Sequence, residues 1–509
     1  MLTNRLHSNY KPIQLILPVD YEQLIDECNP VVSFKEVVGG LNLKQYIKTS
    51  SKGRQEYSSE AMLHLILFGY MENIRSLRQL EKACENDIRF MYLGNRIKPS
   101  FMAFQRFIDS KLSHSIDDIF YAVNQFLITN QDIDTNTLYV DGTKIEANAR
   151  KTSFVWKNSI LNYRKNLYVK IKNLITQVNK DYSVDFEIKD AYNADDLNKP
   201  VLAFQLMINT NGIVFVSGKG SRKHPIQRIY ESFNEFKLKL EEYERHFEIL
   251  GERNSYSKTD HDATFMHGKE DYYNKTGIFK PYYNIQIGVS DEYILHYGVF
   301  PNPGDTKTWI PFFETFKQRY SFLPENPVAD AGYGSYDNYM YNLINGMNLT
   351  MKYGMFSKED EKGFKKKLYN YKNMIDRGST LESEDGHVYN YSHDYEDTRG
   401  NYVRIKQVFI HSSWNESMKE KGIPQKISKD VVLQEFQRTA KETLKSEEGN
   451  EMRIQRSIQV EGAFGDIKAN TSYTRIQRRG NLGVKTEICL VILGFNLRKY
   501  HAKKHRVMN

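Results

Sequence analysis

The sequence predicts a mixed α/β protein, a sheet-based core preceded by a helical region and interrupted by inserted segments. Three stretches lead there. Leu138, Tyr139 and Val140 form a run of β-formers that delivers Asp141 at its end, followed by Gly142 as a tight turn. Lys144, Glu146 and Asn148 then alternate with Ile145 and Ala147 like a second, half-buried strand. YYNIQIGVSDEYILHYGVF, from Tyr282 to Phe300, alternates, turns at Ser290-Asp291 and alternates again, as a β-hairpin does. NPVADAGYGS gives another short strand, ending on Asp330 before a Gly-rich turn.

Taken in order, residues 1–32 read as an arm that docks on the body, and 33–130 as a helical domain. Ala61, Leu63, Leu65, Ile66, Leu67 and Tyr70 are dense enough for a buried helix. Ser76 opens a short helix to Asp87, another covers Ile88 to Leu93, and Ser100 caps a third, FMAFQRFIDSKL. Three such helices, the last carrying Arg106 and Lys111, fit a helix-turn-helix DNA reader or a plain helical bundle. The core is expected at 131–355 and 451–500, with a helical hairpin inserted at about 155–252. Asn162–Lys180 and Pro225–Gly251 supply the hairpin, with LAFQLMIN strand-like between them.

After the β-hairpin, PNPGDTKTWIPFFETFKQRY makes a loop and a helix capped near Asp305 or Thr306; Tyr336–Met347 is a helix, and LTMKYG a strand. Strand, hairpin, helix, strand, helix, strand is the order of a ribonuclease-H-like layer. Residues 356–450 read as an inserted subdomain, with strands in GHVYNYSHDY and GNYVRIKQVFI and then a Lys/Glu-rich linker. EMRIQRSIQVEGAFGDIKAN is helical with Glu461 in its middle, ICLVILGF is a buried helix, and 501–509 form a basic tail.

The 509 residues carry a net charge of +8. From Phe464 to Asn509 ten Lys/Arg stand against two Asp/Glu, an excess equal to that of the whole chain. A basic stretch interleaved with Tyr473, Tyr500, His501 and His505 suits a polyanion, most simply nucleic acid, or is a solvated tail. Cys28, Cys84 and Cys489 lie far apart, which excludes a cysteine-rich zinc module and speaks against a disulfide framework. With no signal peptide and no apolar run near ~18 residues, the expectation is a cytoplasmic protein without a membrane span.

Three acids stand out by context, Asp141 and Asp330 at strand ends and Glu461 on a late helix. Singly, each is as well a turn, cap or surface residue. Together they are hard-oxygen donors of the kind Mg²⁺ prefers. Two such ions can activate a water or a 3′-hydroxyl and stabilise the oxygen leaving a phosphodiester.

YVDGTKIEANA, SKTDHDATFMHGKE, YYNIQIGVSDEYI, VADAGYGS and RSIQVEGAFGDIK, in that order, resemble DDE transposases of bacterial insertion sequences. The similarity is to the insertion-sequence eleven-eighty-two group of the insertion-sequence-four superfamily. It implies a ribonuclease-H-like catalytic core, a catalytic and metal-holding triad of Asp141, Asp330 and Glu461, and Mg²⁺ as cofactor, with Mn²⁺ an acceptable substitute. It also implies cleavage and joining of double-stranded DNA at terminal inverted repeats and in target DNA, and a nucleoid-associated location. Because two ends must meet, a homodimer on DNA is expected.

The family signature places a Tyr and an Arg before the last acid and a Lys after it. Lys468 occupies the Lys position, Ile454 stands at the Tyr position and Ser457 at the Arg position, with Arg456 one residue earlier as the substitute. The cysteine-rich patch of many relatives is absent, so no zinc is expected. Lys468, Arg456, Arg475, Arg478, Arg479 and Arg106 are the candidate DNA contacts, Lys468 being equally a surface lysine paired with Glu461. Lys144 and Asn148 touch DNA or simply alternate outward. Trp156 reads as a core tryptophan, or a stacking platform for an unpaired base. Asp260 and Asp262 read as loop or cap residues. The rival readings are a non-catalytic DNA-binding derivative of a transposase and a metal-dependent nuclease without joining activity.

Overall fold

The computed structural model describes residues 24–47, 56–218, 222–268 and 275–506. Most of the expected N-terminal arm, residues 1–23, and the end of the basic tail, 507–509, lie outside the described residues. The chain divides into two compact units, one of residues up to Asp132 together with those from Cys489, the other Ile133–Ile488.

The first unit is helical: Pro30–Gly39, Ser59–Met71, Leu77–Asn86, Ile88–Leu93, Phe101–Ser110 and Ile116–Gln131. Ten of the thirteen residues of Ser59–Met71 are buried, so this helix is enclosed on every side. Ser100 caps Phe101–Ser110, its Oγ accepting the Ala103 N–H at 3.3 Å. Ser76 stands at its expected N-cap position, but its side chain makes no capping bond.

The unit is completed by the second half of one long helix, Gly480–Arg506. A Cβ at Gly494 would lie 2.4 Å from the Tyr70 carbonyl oxygen, so only glycine permits this backbone contact. Arg498 Nη1 donates to the Tyr70 and Met71 carbonyls at 3.1 Å each, satisfying the open end of Ser59–Met71. The expected tail is therefore helical as far as Arg506, with His501 bonded to Ser33 at 3.0 Å and Lys504 paired with Glu36. By length and composition Gly480–Arg506 is apolar enough to cross a membrane, yet 72% of its most apolar window is buried in protein, as in a core helix.

The second unit is built on β1 (Thr137–Glu146), β2 (Phe154–Trp156), β3 (Ser255–Ser257), β4 (Thr264–His267), β5 (Phe279–Ser290), β6 (Tyr293–Phe300) and β7 (Asn326–Val328). The core sheet runs β4-β5-β1-β7, with β6 also on β5, while β2 and β3 pair separately. β1 is antiparallel to β5 over Tyr139–Glu146 and parallel to β7 only at Thr137–Tyr139. Its edge beyond Tyr139 is thus open to loops and to the late helix.

Several local expectations are corrected. The turn expected at Gly142 is absent, and β1 continues straight through Asp141 and Gly142. The β5–β6 turn falls one residue later, with Asp291 and Glu292 both left-handed. LAFQLMIN is helical, within Asn198–Thr210, because Phe204 and Ile208 bury at helical spacing. It lies between Lys157–Tyr182 and Pro225–Leu250, and the three helices share an apolar core around Ile171, Phe204 and Phe233. LTMKYG contributes only a single bridge, Met351 to Ala329.

In the inserted subdomain β8 (Ile375–Asp376), β9 (Thr380–Glu382), β10 (Val388–Asp397), β11 (Arg404–His411) and β12 (Lys426–Lys429) form an antiparallel sheet in the order β12-β11-β10-β9-β8. Leu381, Tyr389 and Phe409 are its buried centre. The Lys/Glu-rich linker is instead the helix Val431–Lys445, capped by Asp430 and burying Phe436, Ala440 and Leu444 at four-residue intervals.

Candidate active site

Asp141 lies within β1, 7% exposed, its Oδ1 accepting the Gly142 N–H at 2.7 Å. Its Oδ2 is 3.4 Å from Arg456 Nη1. Asp330 follows β7 and turns back on the chain, accepting the Gly332 N–H at 2.8 Å. The Gly-rich turn behind it fits because Gly334 carries no Cβ, which would lie 2.2 Å from the Lys352 carbonyl oxygen.

A third carboxylate stands between these two elements. Asp305 Oδ1 accepts from Asn284 Nδ2 at 2.8 Å and from Gln286 Nε2 at 2.9 Å. A Cβ on Gly142 would be 2.9 Å from Asp305 Oδ1, and one on Gly332 would be 3.5 Å from its Oδ2. Gly142 is needed for close approach, since its Cβ would also lie 2.1 Å from Gln286 Nε2. Sequence reasoning placed Asp305 near a helix cap and missed this role. The available signal was polar Asn284 and Gln286 in an otherwise apolar strand.

Tyr333 is buried at the centre of the group and donates its hydroxyl to Gln286 Oε1. Burial raises its phenol well above the ordinary range; Asp305, Asp141 and Asp330 push in the same direction and Arg456 opposes them. On the other side Lys352 is lowered by burial, then by Arg456 and Arg453, with Asp330 opposing.

The late helix runs Glu447–Arg456 and then widens to five-residue turns over Ser457–Glu461 and again over Asp466–Asn470. Such widened turns recur at functional sites because they re-aim a helix face. Arg456 closes the regular turn just before the first widened one, and Glu461 is that widened turn's last residue. Arg456 Nη1 is buried and has no hydrogen-bond partner, its nearest acid being Asp141. Glu461 is exposed, and among the described residues it has no hydrogen-bonding or ion-pairing partner.

The other candidates are dispersed. Lys468 Nζ donates to the Lys144 carbonyl at 3.2 Å, and Arg475 Nε is 3.6 Å from Glu146 Oε1, both beside β1. Arg479 donates to the Asn148 carbonyl at 2.7 Å, while the Arg478 N–H is held by Glu487 at 2.8 Å. Arg106 belongs to the other unit and bonds its own helix at Met102. Trp156 is 40% exposed and edge-on to Phe265, which corrects the core-tryptophan expectation. Asp260 and Asp262 do cap, accepting the Gly480 and Asn481 N–H groups at 3.2 and 2.7 Å. Asp260 also accepts from buried Tyr283.

No three His, Cys, Asp or Glu side chains among the described residues close on one metal-sized position. The donor set around Tyr333 is nevertheless all hard carboxylate oxygen, the chemistry suited to Mg²⁺ or Mn²⁺ rather than to a soft-ligand metal.

Two stretches match transposase family models. Residues 414–501 match a transposase DDE domain, and residues 19–110 match a transposase domain of the type designated DUF772. The first includes Arg456, Glu461 and Lys468; the second includes the three short helices of the first unit. The matches support a DDE transposase, and with it an enzyme that acts on DNA. No curated protein and no solved structure matches the chain.

Proposed function

We propose that this chain is a DNA transposase of the insertion-sequence eleven-eighty-two type, which cuts and joins DNA at the ends of its own element. The observation that carries the reading is the contact between Arg456 and Asp141. It joins the helix inside the DDE-domain match to the first acid on the central strand. Asp141 and Asp330, joined by Glu461 from the late helix once that exposed side chain swings toward them, would hold Mg²⁺ or Mn²⁺. When bound, the metal supplies Lewis-acid stabilisation and a more acidic attacking water or 3′-hydroxyl.

The chain's own residues do the rest. Arg456 offsets the crowded carboxylates and keeps Asp141 oriented. Asp305, through Gln286 and Asn284, fixes the floor under the Asp330 turn. Lys468 and Arg475, along the open edge of β1, hold backbone phosphates, as do Arg478, Arg479 and Arg106 at their own positions. Pairing of two such chains on DNA brings two ends together.

The test is cleavage and strand transfer on the DNA flanking the gene, in Mg²⁺, with the native chain beside Asp330→Ala. Cleavage and joining lost in the variant, with DNA binding retained, is the expected result. Tight binding without cleavage in either metal would identify a binding protein instead. Cleavage without joined product would identify a nuclease, and equal cleavage by both proteins would place the active site elsewhere.

A further inference from the structure

Asp330 has a lysine beside it in the sheet. Residues 348–352 run parallel to β7 along the edge that β1 does not use. There the Asn348 N–H donates to the Glu325 carbonyl at 2.8 Å, Met351 bridges Ala329, and the Lys352 N–H donates to the Ala329 carbonyl at 3.3 Å. On its other edge β7 holds β1, with Tyr139 level with Val328. Carried one residue on, that register sets Val140, Ala329 and Met351 in one row, and all three are buried. The next row is Asp141, Asp330 and Lys352, on the opposite face because successive residues alternate. Three neighbouring stretches thus present an apolar row and, one residue further, two acids and a lysine side by side.

Lys352 is half-buried, and among the described residues its ammonium has no hydrogen-bonding or ion-pairing partner. The charges that reach it belong to Arg456 and Arg453, on the late helix, and to Asp330. A half-buried ammonium without a partner has lost part of its hydration and gained no bond in return. A lysine whose task was to neutralise Asp330 would close on it as an ion pair, and this one does not. Arg456, 3.4 Å from Asp141 in the same row, likewise keeps a buried Nη1 without a hydrogen-bond partner. Both cations lack an anionic acceptor that the acids beside them do not supply.

We infer that Lys352 is a further catalytic residue, whose ammonium donates to a non-bridging oxygen of the phosphodiester that reacts over Asp141 and Asp330. In that step the attacking oxygen bonds to phosphorus as the bond to the leaving oxygen breaks, and negative charge is spread over the non-bridging oxygens. A fixed cation there acts on the transition state and gives up no proton. The inference rests on the transposase reading for the reaction. It adds a residue that lies outside both family-model matches, and one that acts on rate where the backbone-phosphate contacts act on affinity. A lysine that only lays its stem on the sheet and turns its head to solvent would leave the rate unchanged when its charge is removed.

The test is single-turnover cleavage of the DNA flanking the gene by the full chain in Mg²⁺, beside equilibrium binding of the same duplex. Lys352→Met, which keeps most of the stem and removes the charge, should slow cleavage by about 10²- to 10³-fold with duplex affinity within about 2-fold of native. Lys352→Arg, which keeps the charge, should recover at least ~10-fold of that loss. Sulfur in place of either non-bridging oxygen at the cleaved position, as separated stereoisomers, should slow the native chain. For one isomer the penalty should be about 3- to 10-fold smaller in Lys352→Met, because the two changes remove the same contact. A native rate for Lys352→Met would overturn the inference and leave the transposase reading standing. So would sulfur penalties unchanged in both isomers, or a loss of rate matched by an equal loss of affinity. If Lys352→Met does not reach the native thermal midpoint, Lys352→Arg against Lys352→Gln decides: a faster Arg variant supports the inference, and equal rates overturn it. A native chain that cuts none of this DNA would remove the transposase reading and the inference together.

Discussion

The two halves of β1 are built oppositely, the first ending on Asp141 in mid-strand and the second on Glu146. At Asp141 three carboxylates crowd around one buried phenol, and a single cation, Arg456, is set among them. At Glu146 five cations line one cavity, and among the described residues a single carboxylate is set with them. The acidic end is enclosed, with Asp141 7% exposed, so its charges are little screened. The basic end opens outward, with the Lys151 side chain 56% exposed, so its charges are more strongly screened by solvent. One strand can thus gather acids at one place and cations at another, because alternation and an unpaired edge let different elements reach each.

The sharpest way to break this contrast is at the acidic end. Asp330→Ala should reduce the cleavage rate by at least ~10³-fold in single-turnover assays while duplex affinity stays near native. Comparable losses of rate and affinity would mean that the two ends do not divide the work. Next, Asp305→Asn should slow cleavage by about 10- to 100-fold, the range seen when a group that orients a reacting residue is replaced. A native rate would show Asp305 to be only a brace for Asn284 and Gln286.

At the basic end the expected effect is smaller and appears in binding: Lys468→Ala should weaken duplex affinity about equally for all sequences and make its salt dependence shallower by about 1 in slope, measured by titration over a series of salt concentrations. Two controls away from β1 complete the series. Gly494→Ala should cost ~1–3 kcal/mol of stability by chemical denaturation, since the new methyl meets backbone rather than a yielding side chain. The smallest effect is one of pH. Burial, with His387 beside it, holds the His411 imidazole below its ordinary range. The unfolded chain therefore takes up this proton first, so the contribution is present above about pH 6.5 and fades as pH falls through it. Trp414, bonded to the Ile423 carbonyl in the same subdomain, should report the loosening by fluorescence. His411→Gln should flatten the dependence.

Much of this was legible without coordinates. Period-two alternation in Tyr282–Phe300 gave the hairpin within one residue, and Ser100 and the apolar density of Ala61–Tyr70 gave their helices. The readings that failed were those where local pattern and tertiary demand diverge. Gly142 has turn chemistry, but its glycine serves the close passage of Gln286, a contact made by another strand. LAFQLMIN has a strand's composition and takes a helix because Phe204 joins a three-helix core. Asp305 resembled a cap because its partners, Asn284 and Gln286, lie some twenty residues away.

By itself the sequence determined the order of elements, the basic bias of the C-terminal stretch and the three acids in their motifs, because those depend on local periodicity and residue type. Only the tertiary structure decided that Arg456 faces Asp141, since the two lie on elements far apart in the chain that meet only through packing. It alone placed a fourth acid, Asp305, beside the first two, and gathered Lys144, Lys151, Lys280, Lys468 and Arg475 around Glu146. Charges distant in sequence acquire their meaning from the low-screening spaces that packing encloses, and no single stretch of chain specifies such a space.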